Sequence, residues 1–158
     1  MVRRRVMVGL VALFLVTVFG GARPGEAQRE DPLLKNSKDP KKIALQIRTA
    51  LPLYEEGYRT LYATMEPEPT EAAVRSLLRA YRLLRTAYLS NDLILSVSKV
   101  PDPILEMQNN QIMFVRSRLL DCTGHREYLT VSGPRRTKCL EGLATGLRSL
   151  RTVTATLP

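Results

Sequence analysis

The sequence predicts an all-α domain, an up-down-up-down four-helix bundle behind a flexible N-terminal arm, and three observations carry that prediction. Apolar residues recur at three- and four-residue steps through four separate segments. Short links containing proline or glycine divide those segments. No stretch alternates polar and apolar residues as a half-buried strand would.

Residues 1–27 stand apart from the bundle. Arg3, Arg4 and Arg5 make a charged start, Val6 to Phe19 is a short apolar run, and Gly25-Glu26-Ala27 places small residues around a cleavage point. That order reads as a cleaved signal or lumenal targeting segment, too short and wrongly flanked for a spanning helix. Cleavage after Ala22 satisfies the same pattern, and the arginine pair is compatible with twin-arginine export. Residues 28–37 are polar, contain Pro32 and show no period, so they are expected to form the flexible arm. Residues 38–158 are the bundle domain, long enough for one core.

The first helix is expected to start at Asp39-Pro40, with Asp39 as cap and Pro40 in the first turn. Ile43, Ile47, Ala50, Tyr54, Tyr58, Leu61 and Met65 keep helical spacing, and Pro52 within the run predicts a kink or a break near Leu51. Glu66-Pro67-Glu68-Pro69 stops that helix. Thr70 is the expected cap of the second, which runs to about Ser98 with a seam of Val74, Leu77, Tyr81, Leu84, Tyr88 and Leu95. Arg75, Arg79, Arg82 and Arg85 recur on another arc of the same helix as a basic stripe.

Asp102 and Pro103 start the third helix. Its seam is Leu105, Ile112, Val115 and Leu119, with Gln108 as a register-fixing polar member. Asn109, Asn110 and Gln111 are expected in solvent. Gly124 to Gly133 is a turn, Ser132 or Gly133 caps the last helix, and Leu140, Leu143, Leu147 and Leu150 form its seam, thinned by Gly142 and Gly146.

The chain has 24 Lys and Arg against 15 Asp and Glu. Loss of Arg3, Arg4, Arg5, Arg23 and Glu26 with the signal still leaves a charge of about +6. A basic exported protein points to an acidic protein surface, an anionic membrane face or a polyanion as its partner. The cations are interleaved with a helical core pattern and no nucleic-acid motif is present, which argues against nucleic acid. Lys35, Lys38, Lys41 and Lys42, together with Arg75, Arg79, Arg82 and Arg85, are the docking candidates on charge alone.

Cys122 and Cys139 are the only cysteines, and an even pair in an exported chain is most simply a disulfide. A metal site from Cys122, His125 and Cys139 would lack a fourth ligand, since His125 is the only histidine. The c-type haem motif needs a second cysteine before the histidine, and it is absent. No nucleophile elbow, phosphate-binding glycine loop or zinc-protease helix occurs, so no enzyme activity is expected. A ligand site inside the bundle would have to be lined by Tyr54, Tyr58, Tyr81 or Tyr88; otherwise these rings fill the core.

Arg85, Tyr88, Leu89, Asp92 and Leu93 form a pattern that resembles the second helix of the PsbQ family, small extrinsic subunits of photosystem II. The order that follows is similar too: a proline-containing link, a third helix ending in Leu119-Leu120-Asp121, a polar turn and a leucine-spaced last helix. The likeness extends from about Thr70 to the C-terminus. The chain departs from the family in having no Trp, in carrying Ser90-Asn91 where Arg-Tyr is frequent, and in the Cys122–Cys139 pair. The resemblance implies a four-helix bundle without catalytic residues or cofactor. It implies docking on the lumenal face of photosystem II, peripheral to the thylakoid membrane, where the protein helps retain the ions of the oxygen-evolving centre. A second expectation, from another class, is a bacterial periplasmic helical adaptor or chaperone that binds other envelope proteins through an exposed apolar groove.

Overall fold

The computed structural model describes residues 31–158; the segment expected to be a signal, 1–27, and residues 28–30 of the expected arm lie outside the described residues. Four helices make up the body: α1 Pro40–Ala63, α2 Pro67–Val97, α3 Pro103–Thr123 and α4 Pro134–Ala155. Each packs on its two neighbours in a ring, α1 on α2, α2 on α3, α3 on α4 and α4 back on α1. The short links after α1 and α2 make those neighbours antiparallel, and contacts from the end of α3 to the start of α4, Cys122 to Cys139, and from Gln108 to Thr156 make the last pair antiparallel too, which gives the up-down-up-down order. No helix among the described residues is long and apolar enough to cross a membrane.

The core follows the seams. Ile43, Ile47, Ala50, Tyr54 and Leu61 of α1 meet Val74, Leu77, Leu83 and Leu84 of α2, Ile112, Val115 and Leu119 of α3, and Leu143, Leu147, Leu150 and Val153 of α4. Burying one such leucine or isoleucine contributes on the order of 1.5–3 kcal/mol relative to leaving it in water. Tyr81, Tyr88 and Leu95 of the α2 seam are only half-buried, and Met65 falls outside α1 and is exposed. Leu129, in the turn before α4, is fully buried, although no helical spacing marks it.

Caps explain most of the helix boundaries. Asp39 accepts from the Lys41 amide at 3.0 Å, and Asp102 accepts from the Leu105 amide at 3.0 Å. The expected cap Thr70 is a correction: α2 starts earlier, with Glu66 at the cap and Pro67 in the first turn, and Thr70 is buried with its hydroxyl unpartnered. The Glu-Pro-Glu-Pro stretch therefore opens α2 rather than only closing α1. Gly133 caps α4 with a φ of 155°, a backbone region that favours glycine.

Pro52 does not break α1, which runs unbroken from Pro40 to Ala63. Proline removes one helical donor, but the ring of Pro52 lies on the exposed side, where water can satisfy the carbonyl left over. Asn109 is a second correction. It is buried, with its Oδ1 unpartnered, while Asn110 is exposed. Gln108 is buried beside it and donates to Thr156 Oγ1 at 3.2 Å, tying α3 to the end of α4.

Glycines set the closest helix approaches. A β-carbon on Gly57 would sit 2.6 Å from Leu77 Cγ, so α1 and α2 touch there because glycine leaves room. On α4, the Arg118 stem crosses Gly142 and Gly146, and the Tyr54 ring covers Gly146. The thinning of the α4 seam thus makes space for a tyrosine from α1 and an arginine stem from α3.

Cys122 and Cys139 form a disulfide joining the end of α3 to the start of α4, with Cα atoms 5.0 Å apart. Arg136 braces the same end of the bundle. Its guanidinium donates to the carbonyls of Leu129 at 3.1 Å and Thr64 at 3.0 Å, and also to that of Leu61. Two of these carbonyls terminate α1.

Candidate functional site

The segment 31–37, part of the expected arm, is seated on the bundle. Asp31 caps a single turn, Pro32–Leu34, and Leu33 and Leu34 pack against the core. Gln46 of α1, itself buried, donates to the carbonyls of Leu33 at 2.8 Å and Lys35 at 3.1 Å. The Ser37 amide donates to Ser90 Oγ on α2 at 3.0 Å. An Asp31–Arg79 ion pair at 3.3 Å fixes the other end.

These contacts lay the segment along α2 from Arg79 to Ser90, and they account for the burial of the polar Ser90 beneath it. They also place exposed Lys35 between the Asp31–Arg79 and Ser37–Ser90 contacts, with Lys38 one residue beyond, on the flank of α2 that carries Arg79, a juxtaposition of residues some fifty positions apart in sequence. Arg75, Arg79, Arg82 and Arg85 are all exposed. Arg75 and Arg79 are partly neutralised, Arg75 by Glu71 at 3.8 Å and Arg79 by Asp31. Arg82 and Arg85 have no ion pair among the described residues. Helical rotation sets Arg85 about a third of a turn away from Arg79, on the margin of the stripe. Lys41 and Lys42 are exposed on the first turn of α1, beyond the end of the seated segment.

The sequence pattern Arg85, Tyr88, Leu89, Asp92, Leu93 spans that margin. Tyr88 is half-buried under the Arg116 guanidinium from α3, 4.8 Å from its ring centroid, and Tyr81 lies under the same group at 5.5 Å. Leu89, Asp92 and Leu93 are exposed. Leu93 continues into a patch of exposed apolar residues at the α2–α3 tip, where Val97 is 59%, Val100 71% and Ile104 64% exposed, with Met107 beside them. That patch was not apparent from the periodicity, because a helix end and its link carry no repeating face.

The tyrosines do not frame a ligand chamber. Tyr54 is fully buried and donates its hydroxyl to the Leu143 carbonyl at 2.9 Å. Burial holds its hydroxyl well above the usual phenol range, with the nearby Arg118 charge only partly opposing the effect. Tyr58 sits at the core margin against Tyr62, ring centroids 6.1 Å apart. Among the described residues no group of three or more His, Cys, Asp or Glu side chains is placed to hold a metal ion.

Comparison of the chain with protein-family models, with curated proteins and with solved structures gives no match.

Proposed function

We propose that this chain is a non-catalytic extrinsic subunit that docks on an acidic protein surface through the basic strip of Lys35, Lys38, Arg75, Arg79, Arg82 and Arg85. The observation that supports the reading is the seating of residues 31–37 on α2, which brings Lys35, and Lys38 just after it, to the helix that carries the arginine stripe. A fixed cationic face speeds encounter with an acidic partner and sets its orientation. On the resemblance to the PsbQ family, that partner is the lumenal face of photosystem II. The chain there clamps acidic loops and limits solvent exchange around the oxygen-evolving centre. The absence of a spanning helix among the described residues is compatible with a peripheral position, and a disulfide with an oxidising compartment.

The test is gentle fractionation of native membranes, with mass spectrometry of the photosystem II band. The proposal expects the chain in that band and its release by a high-salt wash. Its absence from the band, or a source without photosystem II, overturns the assignment to that complex.

A second reading is a periplasmic helical adaptor for other envelope proteins. The exposed patch of Val97, Val100, Ile104 and Met107 favours it, because grouped apolar side chains at a bundle tip suit a protein partner better than solvent does.

A further inference from the structure

We propose that the cleft beside the disulfide is a binding site for a phosphate-type dianion. It shares no residue with the basic strip. It is a cleft of about 630 Å³ between the C-terminal end of α3, the turn Arg126–Tyr128 and the first turns of α4, with Cys122–Cys139 in its wall. Arg118, Arg135 and Lys138 line it against a single carboxylate, Asp121. Three permanent cations and one anion leave two positive charges, which matches a phosphate dianion.

The two guanidinium groups come from two helices and are held in place. Arg135 stacks over the Tyr128 ring at 4.5 Å and donates one N–H to its hydroxyl, which leaves its other N–H groups for a ligand. Arg118 stacks over Phe114 at 4.9 Å, and its stem is fixed across Gly142 and Gly146. The disulfide locks the α3 and α4 walls together. Guanidinium groups ordered before binding lose less freedom when they engage an oxyanion, and their forked donors fit its oxygens.

The competing contacts are weak. Asp121 meets Arg118 at 3.7 Å and is largely exposed, so water screens the pair. Glu127 lies 3.7 Å from His125 Nδ1, also exposed, and His125 adds a ring nitrogen to the cleft rim. The first turn of α4 contains no acidic residue, so nothing on that helix start offsets Arg135 and Lys138. A tetrahedral dianion can engage donors from both walls at once, whereas a carboxylate presents only two oxygens in one plane.

The test is an NMR titration of the disulfide-intact chain at constant ionic strength with inorganic phosphate, O-phosphoserine and acetate. The proposal expects saturable shifts at the His125, Lys138 and Gly142 amides with the two phosphates and none that saturate with acetate. Lys138→Gln, which removes one exposed charge, should weaken phosphate binding about tenfold without moving the melting temperature. Arg75→Gln/Arg82→Gln should bind phosphate as the parent chain does. Tighter binding of O-phosphoserine assigns a phosphoryl ester as the ligand, and tighter binding of the inorganic ion assigns free phosphate; both support the site. Shifts that do not saturate, equal binding of acetate, or loss of binding in the Arg75/Arg82 variant overturns it.

Discussion

The Tyr54 hydroxyl donates to the Leu143 main-chain carbonyl at 2.9 Å, a hydrogen bond from α1 to α4 that closes the ring of four helices. It is buried, and its ring rests on Gly146 one turn further along α4. Tyr54→Phe removes the donor but keeps the ring. It should lower stability by about 1 kcal/mol, read as a shift of the urea midpoint at unchanged slope.

The same hydroxyl has an alkaline signature. In the fold its proton is held above the ordinary value of 10.0, while the unfolded chain releases it near that value. Above that pH the unfolded state binds fewer protons than the native one, so stability falls as pH rises past about 10. Stability curves of the parent chain and Tyr54→Phe should therefore converge between neutral pH and pH 11. Parallel curves over that range would show that Tyr54 ionises equally in both states.

Two glycines on one helix should respond with opposite signs. A β-carbon on Gly146 would lie 2.5 Å from the Tyr54 hydroxyl oxygen, so Gly146→Ala must displace a buried ring and should cost about 1–3 kcal/mol. On Gly142 it would meet only Arg118 Cδ at 3.7 Å, an ordinary contact. Gly142→Ala should therefore gain roughly 0.5–1 kcal/mol from helix propensity. Thermal melts of the two variants check both signs.

Reduction of Cys122–Cys139 opens a loop of sequence separation 17. The chain-entropy account puts the loss at about 3 kcal/mol. The helical signal should persist at low temperature, since the four seams remain, while the denaturation midpoint falls. An unchanged midpoint with and without reductant would show that the link adds nothing to the fold.

The helices were legible because each buries a face that repeats at helical spacing, as Ile43, Ile47, Ala50 and Tyr54 do on α1. The cap of α2 was misplaced because Thr70 is the better side-chain cap by type. Pro67 overrides it, since proline fits the first turn and lets the helix begin earlier. Asn109 sits in a polar run, and nothing in that run separates it from its exposed neighbour Asn110. The cations of the strip were legible from charge. Their assembly was not, because Leu33 and Leu34 are too few to show a period, and the groups that hold the segment, Gln46, Arg79 and Ser90, are distant in sequence.

Docking through exposed charges should weaken as salt rises, because such pairs are screened over about 8–10 Å at moderate ionic strength. Arg82→Glu/Arg85→Glu alters two cations without ion pairs among the described residues, so the fold should be little affected. Binding should drop by more than tenfold at low salt, about 0.7–1 kcal/mol for each charge reversed. A variant at the apolar tip, Val97→Ser/Ile104→Ser, should dock as the parent does; loss of binding there would favour the adaptor reading.

Rebinding to salt-washed membranes tests the central claim most directly. The account predicts that the parent chain rebinds at low salt and is released by high salt, whereas a Lys38→Glu/Arg82→Glu/Arg85→Glu variant with an unchanged melting temperature stays in solution. Equal rebinding of the two chains would contradict docking through the basic strip.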